Sequence, residues 1–254
     1  MGENRLRGLW RDDRPALGCW LTLPDPFAAE MLSRLGYDWL CIDMQHGLID
    51  YQLALHMLQA ISTSDAAPVV RVPWNDPAII MKMLDAGARG VIIPLIDTVA
   101  DAEKAVAACR YPPLGRRSFG PTRAILYGGA NYIEEANADV CCIPMIETAS
   151  AMENLDEILS VPGVDAVYIG PMDLSLAMGV PPKVDGDEPE YVAARRKIAD
   201  ACRRHGVIAG IHCRAQTAPA RVADGFRFVP VTSDGSALAR AAEEEISAVR
   251  AGLS

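Results

Sequence analysis

"WLCIDMQHGLIDYQLALHMLQAI", residues 39–61, holds the unit from which the rest of the chain is built. Residues 39–42 are apolar without alternation, as in a strand buried on both faces. Asp43, Gln45 and His46 end the run abruptly, and Asp50 then stands where an N-cap precedes the helical pattern of 51–61. Strand-like runs recur at 17–23, 68–73, 90–96, 140–147, 166–171, 207–213 and 226–232. Helical patterns separate them, the first opened by Asp25 and Pro26, and several close on a glycine in the C′ position: Gly36, Gly87 and Gly206. Eight β-then-α units in 254 residues predict a parallel α/β architecture closed as a (β/α)8 TIM barrel, one domain spanning 1–254. No GxGxxG follows the first strand, which argues against an open dinucleotide-binding sheet. The irregular stretches 110–139 and 178–190 are expected to follow strands four and six and to lie over the catalytic rim.

Composition narrows the function classes. Half of the residues are hydrophobic, enough for a substantial core, and a net charge of -9 opposes binding to a nucleic-acid backbone or an anionic membrane. The N-terminus is too charged for a secretory h-region and no apolar run reaches the ~18 residues of a membrane span. The expected setting is cytoplasmic. The seven cysteines form no CxxC pair and sit mostly inside apolar runs, so they read as reduced core residues.

In a barrel of this kind, polar residues at the C-terminal strand ends converge on one face. Strand two delivers Asp43, Gln45 and His46; strand three carries Arg71; strand five ends in Glu147; strand six runs into Asp173. A guanidinium in an apolar wall must be paired or face an anion. Glu147 and Asp173 are either its partners or, one βα unit apart, oxygen ligands for a divalent cation. His56 and His205 read as solvated or structural, whereas His212 closes strand seven and reaches the mouth.

The segments "GYDWLCIDMQHGLID", "VRVPWNDPAIIMKMLDAGARGVIIPLIDT", "RYPPLGRRSFGPTRA" and "IPMIETASAMENLDEILSVPGVDAVYIGPMDLSLAMG" resemble the HpcH/HpaI aldolase family from about residue 16 to 215. The resemblance implies a barrel of the phosphoenolpyruvate and pyruvate superfamily, with a C-terminal helix exchanged between subunits of a homohexamer, a trimer of dimers. It also implies metal-dependent, reversible aldol cleavage of 4-hydroxy-2-oxo acids to pyruvate or hydroxypyruvate and an aldehyde. Glu147 and Asp173 would ligate Mg²⁺, Mn²⁺ or Co²⁺. Arg71 would hold the keto oxygen, and the "GPMD" turn would offer the N–H groups of Met172 and Asp173 to the carboxylate. His46 would be the general base through a metal-bound water, oriented by Asp43 and reached by Asp85 from a neighbouring subunit, while Trp20 would either line the aldehyde pocket or pack in the core.

Two positions depart from the family's pattern. Gln45 stands where relatives commonly have Glu, and a neutral amide can position a water but adds no charge. Met145 stands where Gln is frequent, and the loop around Arg123 is short. Competing readings are an acyl-CoA lyase of the citryl or malyl type, an isocitrate-lyase relative and a non-catalytic 2-oxo-acid-binding barrel. The first would call for a basic cluster, the second for a loop cysteine, and the third for loss of one of His46, Arg71, Glu147 or Asp173. None of these marks is present.

Overall fold

The computed structural model describes residues 3–129 and 131–253. Strands β1 (Ala16–Leu21), β2 (Trp39–Asp43), β3 (Ala67–Arg71), β4 (Gly90–Ile93), β5 (Cys141–Ile146), β6 (Ala166–Ile169), β7 (Ile208–Ile211) and β8 (Phe228–Ser233) close into a barrel in sequence order. Every pairing is parallel. The outer layer contains α2 (Pro26–Ser33), α3 (Tyr51–Ile61), α4 (Pro77–Asp85), α5 (Val99–Cys109), α8 (Ala149–Glu153), α9 (Leu155–Leu159), α11 (Pro189–His205) and α12 (Ala218–Ala223). Their starts follow from local chemistry: Asp25, Asp50 and Asp76 accept first-turn N–H groups, and Thr98 with Asp101 forms a capping box. At the other end of α11, Gly206 takes the left-handed conformation, φ +67°, that an L side chain resists.

Strand residues two apart share a face, and this rule sorts the core. Leu40, Ile42, Val70, Val91, Cys142 and Val167 pack outward under the helices. Trp39, Cys41, Val69, Ile92, Ile143, Tyr168 and Phe228 fill the barrel. A Cβ at Gly18 would stand 2.1 Å from the Trp39 ring, so a glycine there is what admits an indole to the interior. All seven cysteines are buried thiols, as their apolar settings predict.

A helix not anticipated from sequence, α1 (Arg5–Arg11), closes the N-terminal end of the barrel with Leu6, Leu9 and Trp10, the last set edge-on to Phe228 at 5.5 Å. Asn4 caps it and is itself buried, donating to the carbonyls of Arg89 and Asp139. The expectation for 110–139 needs correction. This segment, with α6 (Ala124–Gly128) and α7 (Tyr132–Asp139), follows α5 and not β4, and so begins where α5 has returned to the N-terminal rim. Arg123 accordingly bonds the carbonyls of Ala86 and Leu58 at the ends of α4 and α3, and Asp139 is held by Asn4 and Arg89. The stretch 178–190 does follow β6, behind α10 (Pro171–Ala177). Between β5 and β6 the helical layer is broken at Asn154 into α8 and α9.

The terminal helix α13 (Asp234–Leu253) touches the barrel only near its start. Asp234 is its buried residue, with a carboxylate that accepts both backbone N–H groups of Thr22 and Leu23 and the Thr22 hydroxyl. Leu238, Ile246, Val249 and Leu253 are exposed. Among the described residues no helix is long and apolar enough to cross a membrane.

Candidate active site

Strand register brings the first pair together. Asp43 and Arg71 are direct partners across β2 and β3, both on the inward face at the C-terminal ends. Arg71 donates through Nε (2.9 Å) and Nη2 (2.5 Å) to the two oxygens of Asp43, a fork that a lysine could not reproduce. Burial raises the Asp43 carboxyl, but the hydrogen bonds and charge of Arg71 outweigh it and hold the group below the usual carboxylate range. The same carboxylate accepts the Trp20 indole N–H at 3.0 Å and the backbone N–H groups of Gln45 (3.0 Å) and His46 (3.2 Å).

Those contacts revise one assignment. Asp43 was expected to orient the His46 imidazole; every lone pair it commits goes instead to Arg71, Trp20 and the backbone of the turn. The carboxylate therefore fixes where residue 46 leaves the strand, while the imidazole itself projects as an exposed side chain. Trp20, expected in the pocket wall or the core, lies beneath the site, 3 % exposed, with the Arg71 guanidinium 5.0 Å from its ring centroid. Gln45 is half-buried and its Oε1 is enclosed without a hydrogen-bond partner.

The opposite wall is acidic. Glu147, immediately after β5, is buried, and its carboxyl is pushed up to about 7 by burial; the Leu95 N–H and Arg71 work against that shift and Asp173 with it. The Leu95 N–H reaches Oε1 at 3.0 Å from a backbone at φ +53°, a left-handed conformation costing a non-glycine residue ~1 kcal/mol. Asp97 anchors that loop by accepting the Thr148 hydroxyl, and its carbonyl accepts Asn154 Nδ2 at 2.8 Å. A Cβ at Gly170 would come within 2.4 Å of Glu147 Oε2, so the glycine leaves the space in which the carboxylate lies over the β6–α10 turn. Asp173 is exposed in the first turn of α10, where neither its own N–H nor that of Met172 has an intrahelical acceptor.

Among the described residues no three His, Cys, Asp or Glu side chains cluster as a closed metal cage. Two carboxylates at an open mouth, one of them buried and short of positive charge, with an unpartnered amide oxygen in the same strand-end layer, do fit a hard divalent cation that leaves positions free. Asp85 stands apart. It ends α4 at the opposite rim, where the fully buried Arg117 donates to it at 2.8 Å, so within one chain it cannot meet His46.

The sequence reading named His212 but passed over Tyr168. Tyr168 stacks on Trp20 at 5.3 Å, and its hydroxyl lies 3.1 Å from Nδ1 of His212. The period-two rule applied along β6 places Tyr168 inward; for Leu95 the sequence carries no signal.

With this geometry in view, residues 16–241 match the family model described as HpcH/HpaI aldolase/citrate lyase. The chain is 45% identical over 249 residues to a hydroxypyruvate/pyruvate aldolase of Rhizorhabdus wittichii, covering 98% of this chain and 99% of that one. It is 40% identical over 245 residues to a 4-hydroxy-2-oxo-heptane-1,7-dioate aldolase of Shigella flexneri, covering 95% and 91%. A crystal structure of an HpcH/HpaI aldolase/citrate lyase family protein from Burkholderia cenocepacia superposes with a TM-score of 0.91 at 36% identity, over 97% of this chain and 99% of the other.

Proposed function

The chain belongs to the HpcH/HpaI aldolase/citrate lyase family, and from that premise we propose that its barrel mouth interconverts 4-hydroxy-2-oxo acids with pyruvate, or hydroxypyruvate, and an aldehyde. It is a carbon–carbon lyase of the aldolase kind. The observation that carries the reaction is the opposition of Arg71, clamped by Asp43, to Glu147, a buried carboxyl that takes a hydrogen bond from the Leu95 N–H.

Each group has a task in breaking the bond between C3 and C4. The N–H groups of Met172 and Asp173 take the substrate carboxylate at the start of α10. Arg71 Nη1, which has no acceptor among the described residues, donates to the keto oxygen and stabilises the enolate as the bonding pair moves onto C3. His46 accepts the proton of the 4-hydroxyl in cleavage and returns it to the aldehyde oxygen in condensation. Gln45 Oε1, without a hydrogen-bond partner among the described residues, would accept one at the same face, without charge. Glu147 and Asp173 would hold a divalent cation, Mg²⁺, Mn²⁺ or Co²⁺, which would supply Lewis-acid stabilisation of the developing oxyanion. Asp43 and Trp20 act beneath the substrate by fixing Arg71 and the turn that presents His46.

Assembly completes the reading. The chain works as one barrel domain over 1–254 within a cytoplasmic homohexamer, a trimer of dimers. The exposed apolar residues of α13 and the seven reduced cysteines are what such an exchange and such a compartment require. Asp85 reaches His46 only across a subunit boundary.

Pyruvate release from a 4-hydroxy-2-oxo acid, followed with lactate dehydrogenase and added Mn²⁺, tests the roles. Arg71→Ala and His46→Ala each lower kcat by ~10²-fold or more. Wild-type turnover in either variant would remove that residue from the mechanism.

A further inference from the structure

The buried Glu147 carboxylate is held by a loop from the neighbouring strand β4, and that loop is held in return. Residues 94–98 join β4 to α5, and Glu147 and Thr148 join β5 to α8. Each connection gives the other a carboxylate: the Leu95 N–H donates to Glu147 Oε1 at 3.0 Å, and the Thr148 hydroxyl donates to Asp97 Oδ1. The Asp97 carbonyl adds a third tie by accepting Asn154 Nδ2 at 2.8 Å. A hydroxyl has one hydrogen and two lone pairs. Thr148 commits its hydrogen to Asp97 and accepts the Ala151 N–H at 3.0 Å as the N-cap of α8, so the residue after Glu147 is fixed from both sides.

Leu95 is the strained member of this clamp. Its φ of +53° lies in the left-handed region, where a leucine persists only if its surroundings over-determine it. Release into the right-handed or extended region would shift the peptide relative to the anchored Asp97, and Oε1 would lose its donor. The consequence falls on the two oxygens of Glu147. Oε1 is committed to Leu95, whereas Oε2 lies over Gly170, at the start of the turn that carries Asp173. A carboxylate held in this way offers one oxygen, the mode that suits a small octahedral cation. The larger Ca²⁺ takes more ligands, among them carboxylates bound through both oxygens.

We propose that Asp97 is a positioning residue for the cation site: clamped to Thr148, it keeps the Leu95 N–H on Oε1 of Glu147, so that Glu147 presents Oε2 and the mouth prefers Mn²⁺ or Mg²⁺ to Ca²⁺. This rests on the reading of Glu147 as a cation ligand given above. Asp97 itself touches neither substrate nor cation. Its charge is a separate influence, and asparagine distinguishes the two, because an amide oxygen still accepts the Thr148 hydroxyl.

Calorimetric titration of the full-length, chelator-treated enzyme with Mn²⁺, and with Ca²⁺ in competition against it, tests this. Asp97→Ala weakens Mn²⁺ binding about tenfold and Ca²⁺ binding by less, so the ratio of the two affinities falls. Asp97→Asn keeps the wild-type ratio. Thr148→Val removes the donor from the other side without altering charge, lowers the ratio as Asp97→Ala does, and serves if the alanine variant does not fold; Thr148→Ser restores it. An unchanged ratio in the folded alanine and valine variants, an asparagine variant as impaired as the alanine one, or a wild type that binds Ca²⁺ as tightly as Mn²⁺ overturns the proposal. Glu147→Gln tests the premise separately: Mn²⁺ bound as tightly as by the wild type would remove Glu147 from the cation site, whatever the Asp97 variants do.

Discussion

His212 shows how a single side chain couples the site to the stability of the barrel. Its imidazole, lowered from 6.5 to about 4 by burial and by Arg71, is neutral when folded and takes up a proton on unfolding in the interval between those values. A depressed folded pKa gives stability that is complete above about pH 6.5 and is lost as pH falls toward about 4, amounting to roughly 3 kcal/mol at most. Glu147 acts with the opposite sign, because its raised carboxyl favours the folded state only where it stays protonated. Comparing urea unfolding of the wild type with His212→Gln removes the Glu147 contribution: the stability advantage of the wild type should shrink steadily from pH 6.5 to 4. An advantage constant across that interval would mean that the imidazole is not desolvated. At this scale Asp43, Arg71, Glu147 and Asp173 stood out in the sequence as candidates, because charge in an apolar run is conspicuous. It did not reveal partners. That Asp43 clamps Arg71 and not His46 depends on the β2–β3 register, which a linear string does not contain.

Elements position these residues, and the β6–α10 junction is packed closely against one of them. Gly170 has an ordinary φ of −85°, so alanine there is not strained as backbone; the cost is the 2.4 Å approach of its Cβ to Glu147 Oε2. Gly170→Ala should therefore fold and yet bind Mn²⁺ at least about tenfold more weakly by calorimetry, since the carboxylate must move. Unaltered Mn²⁺ affinity would place the cation elsewhere. The β-then-α rhythm was legible because buried parallel strands are continuously apolar and the helix starts carry Asp and Thr caps. Segment 110–139 was misplaced for a reason at the same scale. Its Pro and Gly content marks it as irregular, but only its position after α5 says which rim it covers. Helix α1 escaped notice because its seven residues contribute three buried apolar side chains beneath a plug whose partner, Phe228, is more than two hundred positions away.

At the scale of the whole molecule, the apolar residues along α13 are exposed, and Asp85, ion-paired with Arg117, lies at the rim remote from His46. In the proposed oligomer, exchange of α13 would cover the first and a neighbouring subunit's rim would deliver the second. Ile246→Glu combined with Val249→Glu should shift sedimentation to a smaller species and lower turnover together with it. An unchanged sedimentation coefficient would separate α13 from assembly. The reaction itself is tested most directly with pyruvate alone, by following exchange of its C3 protons with D₂O by NMR in chelator-treated enzyme before and after Mn²⁺ or Mg²⁺ is restored. Exchange should depend on the added cation and be lost in Arg71→Ala. Metal-replete wild-type enzyme that binds pyruvate and leaves its C3 protons unexchanged would contradict enolate formation at this barrel mouth.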